Sequence, residues 1–129
     1  MDAPTITIGK HPVTLVKPSP MAALAITRDA SAIEAMSPAE SIALGCTALA
    51  ICWPADKTWC GKVPPRKWRP STRVDDYGQG VFDDLMAAGA GISAIVQAGG
   101  AAYNWALSTL VAADEVAAQK DFSEAPAGG

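Results

Sequence analysis

Histidine occurs once in this chain, at position 11, and aromatic residues make up only 6% of it. A general base needs an orienting partner and a nucleophile within reach, and a lone histidine in a turn-like segment offers neither. No catalytic residue can be assembled from what remains, so the expectation is a protein that is not an enzyme. Cysteine is scarce and odd in number, at 46, 52 and 60, with no Cys-x-x-Cys. That pattern reads as free thiols in a reducing compartment, with a disulfide through Cys60 as the alternative. Cys46 and Cys52 stand in an apolar run, where cysteine acts as a small buried hydrophobe. Met1-Asp2-Ala3-Pro4 lacks the basic and apolar regions of a signal peptide. Bulky aliphatics are few. Half the chain is apolar, but much of that is alanine, which buries little area per residue. The core should therefore be thin, with part of the stability drawn from a partner or from self-association.

Charge is unevenly placed. The net value of −3 makes no global case for nucleic acid. Six of the ten basic residues nevertheless fall between Lys57 and Arg73, with no acid among them. Three readings of this segment stay open. Lys and Arg interleaved with Trp could track a phosphate backbone and stack on bases, although no nucleic-acid signature accompanies them. The tryptophans could instead anchor the loop on the helices while the charges stay wet. Or the loop could meet an acidic surface on another protein, in which case Trp59, Arg66, Lys67, Trp68 and Arg69 are the partner-binding candidates, with Trp68 as anchor.

Punctuation along the chain predicts a mainly α fold: an N-terminal β-hairpin, then four to five helices with close Ala/Gly packing, in a single domain over 1–121. The hairpin is expected over 5–16, with Thr5–Ile8 and Val13–Val16 flanking a Gly9–Pro12 loop. Ser19-Pro20 starts a first helix, with a break near Asp29 to Ser31. Ser37-Pro38-Ala39-Glu40 combines a capping box with an N1 proline and starts a second, running to about Trp53 before Pro54. Its nearly continuous apolar content from Ile42 to Trp53 predicts burial on most sides. Residues 54–71 form a basic Trp/Pro loop. A third helix runs from Thr72 or Arg73 to Ala88, with Gly89 as its cap. The fourth spans about 93–112, a short one follows over 114–120, and 122–129 is a flexible tail.

In the fourth helix, apolar residues recur at 92, 95, 96, 99, 103, 106 and 110, the spacing of one helix face. That face is read as core. The remaining small-residue face, with Ala98 and Ala102, is read as partner-binding surface. Leu85 to Ala113 carries no charge, which raises a spanning helix as an alternative. Against it stand the Ala/Gly content, Gln97 and Asn104, and the break at Gly89–Gly91. The pairs Asp75-Asp76 and Asp83-Asp84 have no calcium-loop spacing. They read as dipole stabilisation and as a solvated face, and no metal or cofactor is expected.

The stretch Tyr77-Gly78-Gln79-Gly80-Val81-Phe82-Asp83-Asp84-Leu85-Met86-Ala87-Ala88-Gly89, followed by Ile95-Val96-Gln97-Ala98-Gly99-Gly100-Ala101, resembles tail assembly chaperones of long-tailed bacteriophages. The Tyr-Gly start, the acidic helix ending in Ala-Ala-Gly, the Ala-Gly-Gly helix and the Asp121-Phe122-Ser123 end carry the likeness. It covers the C-terminal half; the hairpin, the Ser-Pro helices and the basic loop are not part of it. The resemblance implies a non-enzymatic protein in the host cytoplasm that coats the apolar tape-measure protein and recruits tail-tube subunits. The alternatives are a permanent structural component of the virion, in the tail or head–tail connector, and a holin-like membrane protein.

Overall fold

Two short strands open the chain. The computed structural model describes residues 3–32, 37–68 and 74–127, with side chains placed for all of them except 28–32, 74–75 and 110–127. Strands β1 (Thr5–Ile8) and β2 (His11–Thr14) pair antiparallel, Ile8 opposite His11 and Thr5 opposite Thr14. The turn is thus two residues, Gly9-Lys10, rather than the expected four. Gly9 has φ +64° and Lys10 does not share it, so glycine takes the first central position of a type II′ turn. That register makes Thr7 and Pro12 a pair flanked by hydrogen-bonded ones, so the N–H that Pro12 lacks is not missed. Ile6, Ile8, Val13 and Leu15 all point into the core.

Among the described residues four helices follow: α1 (Pro20–Ala32), α2 (Pro38–Ile51), α3 (Val74–Ala87) and α4 (Ile92–Ala127). Ser19 accepts the Ala22 N–H at 3.3 Å and starts α1 as its sequence indicates. The expected break at Asp29–Ser31 does not occur. Neither Gly nor Pro is present there, and Asp and Ser lose only a few tenths of a kcal/mol against better helix formers, so the helix continues. The capping box of α2 is complete: Ser37 Oγ accepts from the Glu40 N–H, and Glu40 Oε1 from the Ser37 N–H, each at 3.2 Å. The helix closes at Cys52, two residues before Pro54. The end of α3 is a Schellman motif: Ala90 N–H reaches Leu85 O, Gly89 N–H reaches Met86 O, and Gly89 sits at φ +97°. Residues 71–73, where its start was expected, lie outside the described residues.

Helix α2 lies in the middle, and two glycines let its neighbours approach. A Cβ on Gly78 of α3 would fall 1.9 Å from the Ala43 carbonyl oxygen. A Cβ on Gly99 of α4 would fall 2.9 Å from the Gly45 carbonyl carbon. Backbone therefore packs on backbone along both sides of α2. This burial on most sides matches its unbroken apolar run, with Leu44, Cys46, Ala48 and Leu49 in the core. Thr47 is buried too and donates its hydroxyl to Ala43 O.

Helix α4 corrects two expectations. It is one helix of 36 residues, not a helix, a second short helix and a flexible tail. From Ala101 to Ala125 there is no Gly or Pro, so propagation adds a hydrogen bond per residue once the helix exists. Its buried face is only partly the expected one, with Ile95, Gly99 and Ala106 inside as read but Ile92 and Val96 outside. Ile95, Ala98, Gly99, Ala102, Trp105 and Ala106 face the core, while Ile92 and Val96 are 54% and 45% exposed. Glycine takes the point of closest approach, where a Cβ on Gly99 would meet the Gly45 backbone. Leu110 is among the side chains not described.

Candidate functional site

The basic loop is fastened to the body. Trp59 is fully buried and packs on Trp53, with ring centroids 4.3 Å apart and planes tilted by 53°. Cys60 and Gly61 follow with φ of 51° and 74°, and Lys62 N–H returns to Trp59 O at 3.0 Å. Both central residues with positive φ make this a type I′ turn, and Val63 pairs back with Trp59. The chain then runs over α3. Arg66 donates from Nε and Nη2 to the two carboxylate oxygens of Asp84, at 2.5 and 3.1 Å. Tyr77 donates its hydroxyl to Arg66 O at 2.6 Å. Gly80 keeps the path clear: a Cβ there would lie 3.0 Å from the guanidinium carbon. The hydrogen bond from Arg66 to Asp84 holds the guanidinium above its ordinary pKa, and burial pushes the Tyr77 phenol up to about 12.

These contacts sort the expected binding residues. Trp59 is core and cannot serve a partner, because the turn at Cys60-Gly61 folds its indole inward. Ala98 and Ala102 are core as well. Arg66 is half exposed but already occupied by Asp84, so Asp84 is not part of a freely solvated face. Asp83 is exposed. Lys67 is exposed, and Trp68 is half-buried against the core cluster. The indole N–H of Trp59 and that of Trp68 are buried with no acceptor. Arg69 lies outside the described residues. The loop thus follows the reading in which tryptophan anchors it and the lysines remain in water. His11 sits at the start of β2 rather than in a loop, and is exposed.

The open apolar surface lies elsewhere, on either side of Ile42. Between α2 and α4 is a trough of about 270 Å³, lined by Ser41, Ile42, Gly45, Val96, Gly100 and Tyr103, among others. Between α2 and α3 is a second, of about 210 Å³, lined by Ala39, Ile42, Ala43, Gln79, Phe82 and Asp83. Nothing fills the space a Cβ on Gly100 would take. No sequence signal marked Ile42, since periodicity cannot show which side of a uniformly apolar helix stays uncovered. The three thiols are free and buried, and burial pushes Cys46 and Cys52 up to about 12, far from nucleophilic.

Among the described residues, no group of three or more His, Cys, Asp or Glu side chains could hold a metal ion. The uncharged run is split by the turn after α3, and no described helix is long and apolar enough to cross a membrane. No family model, curated protein or solved structure matches the chain.

Proposed function

We propose that this chain is a non-enzymatic assembly protein of a long-tailed bacteriophage, which holds an apolar helical segment of the tape-measure protein during tail assembly in the host cytoplasm. The observation that supports this reading is the trough between α2 and α4. Ile42, Val96, Gly100 and Tyr103 line it without a charged side chain, and two exposed residues, Ile92 and Val96, continue it along α4. Gly100, with nothing over it, admits a partner's backbone closely, the condition for laying an amphipathic helix into a groove. The likeness of residues 77–101 to tail assembly chaperones supplies the identity of the partner. Its charge-free lining suits a tape-measure helix, whose apolar surface needs cover until the tube forms.

The test is co-expression with a tape-measure protein, taken as any very long helical chain whose gene is found beside the gene for this one. The wild-type chain should co-purify with it, and Val96→Asp should abolish the complex while leaving the melting temperature unchanged, since Val96 is exposed. An unaltered complex with the Val96→Asp variant would exclude the trough. Mass spectrometry of mature particles addresses the chaperone step separately. A chaperone is absent there; a fixed copy number would make the chain a permanent structural component instead.

A further inference from the structure

The trough between α2 and α3 differs in character from the one between α2 and α4. Its volume is about 210 Å³ and its floor is apolar: Ile42 and Phe82, each half-buried against the core, with Ala39 and Ala43 beside them. Its rim carries Gln79 and one carboxylate, Asp83, both exposed. Small-molecule pockets run from about 300 to 1,000 Å³, so this volume suits inserted side chains rather than a whole small ligand. Both walls are helices, whose backbone groups beyond the first turn pair within the helix. An extended segment laid here would find no backbone partner on its buried side, whereas a helix brings its own hydrogen bonds. The shape therefore selects a helix that lowers side chains onto the floor.

The charge on the rim is uncompensated. Asp76, Gln79 and Asp83 are spaced three and four residues apart, on one face of α3. Asp76 and Asp83 are exposed, and neither pairs with a base among the described residues. Arg66 crosses the same helix, but its guanidinium is forked onto Asp84. Ser37 and Glu40 cap the start of α2, which offsets the positive pole of that helix beside Ala39. Lys10 and Lys62 stand together elsewhere. The His11 ring lies 3.6 Å from where a Cβ on Gly61 would sit, so the turn at Lys10 meets the turn at Lys62. Lys62 Nζ lies 3.9 Å from where a Cβ on Gly89 would sit, past the end of α3. The chain thus presents an apolar groove with acid along its α3 wall and none of its own bases on that acid.

We propose that the α2–α3 trough binds a basic amphipathic helix of a partner protein. Its apolar side chains seat over Ile42 and Phe82, and a Lys or Arg on its flank pairs with Asp83. The floor supplies the affinity, and the carboxylates on one wall fix which flank of the bound helix carries its bases. The contact uses neither Val96 nor α4, so it does not rest on the tape-measure reading.

The test is titration of the isotope-labelled chain, followed by amide chemical shifts, with a synthetic helical peptide of leucine and lysine. The peptide has one leucine face and is roughly 18 residues, or five turns, long. A twin carries glutamate at every lysine. The lysine peptide should bind, with its largest shifts at Ile42, Gln79, Phe82 and Asp83. The twin should bind about tenfold more weakly, as an ion pair at the rim becomes a repulsion. Asp83→Lys should reverse that order. Gln79→Lys, on the same rim, should move the preference the same way and serves if the first variant does not fold by circular dichroism. Val96→Asp should change neither affinity. Equal binding of the two peptides, or none of either, would overturn the proposal. So would shifts centred on Val96 and Gly100, or a preference that both lysine variants leave unchanged. A dimer of the chain alone that Asp83→Lys splits, seen by sedimentation velocity, would also overturn it, in favour of a second copy as occupant.

Discussion

The α2–α3–α4 crossing and the loop over α3 hold together by opposite means. At the crossing, side chains are missing where helices meet: Gly78 lies on Ala43, and Gly99 on Gly45. In the loop, side chains do the fastening: Trp59 in the core, Trp68 half-buried, Arg66 forked onto Asp84. A contact made of backbone is intolerant of addition. A contact made of side chains is intolerant of truncation. The molecule therefore contains two regions whose weak points are reversed.

The sharpest challenge to that contrast is Gly78→Ala. Its Cβ would overlap a carbonyl oxygen that no rotamer change can move, so α3 must leave α2. Overpacking typically costs 1–3 kcal/mol; here about 4 kcal/mol or more is expected, enough to leave the chain largely unfolded by circular dichroism. Trp59→Ala should come next, at about 3 kcal/mol by urea denaturation, as a fully buried indole is removed. Trp68→Ala should cost about half as much, because its ring is only partly buried. Equal losses for the two tryptophans would mean that the loop is more deeply inserted than its exposure indicates.

Alkaline titration reads the burial of the Cys46 and Cys52 thiols. Below about pH 9, Cys46 and Cys52 are protonated in both folded and unfolded chains and leave stability unchanged. Above it the unfolded chain ionises, while the folded one keeps its protons up to about 12. Stability should fall by about 1.4 kcal/mol per pH unit for each thiol across that window. Urea midpoints at pH 8, 9.5 and 10.5 measure the slope, and Cys46→Ala/Cys52→Ala should reduce it to the part left by Cys60 and Tyr77, whose pKa values burial also raises. Two adjacent glycines should respond in opposite directions. Gly99→Ala should destabilise by about 2 kcal/mol, since its Cβ meets Gly45 backbone. Gly100→Ala should stabilise by about 0.5–1 kcal/mol, since its Cβ meets nothing and alanine is the better helix former. The smallest change is Arg66→Ala. Its ion pair is half exposed, so about 0.5 kcal/mol is expected in low salt and less at high salt.

Much of the fold was legible in residues that act locally. Ser19, Ser37 with Glu40, and Gly89 each satisfy backbone groups within a few positions, so their roles can be read without knowing what lies across the molecule. The candidate site was much less legible. Counting bulky residues in α4 placed Ile92 and Val96 inside and Ala98 and Ala102 outside, and the structure reverses all four. Period identifies a face but not its direction when large and small residues alternate around the helix. The loop shows the same division: its tryptophans signalled anchoring, but the acid that captures Arg66 is eighteen residues away on another element.

By itself, then, the sequence determined where α1 and α2 begin and where α3 ends, that Ala and Gly would bring helices close, and that charge would gather in one loop. Helix caps, turn glycines and charge runs act over a few residues, within reach of pattern. Only the tertiary structure decided which helix lies in the middle, which face of α4 is inside, and that the turn at Lys10 meets the turn at Lys62. Those outcomes depend on which backbones can touch, and steric fit between distant segments leaves no periodic trace in any one of them.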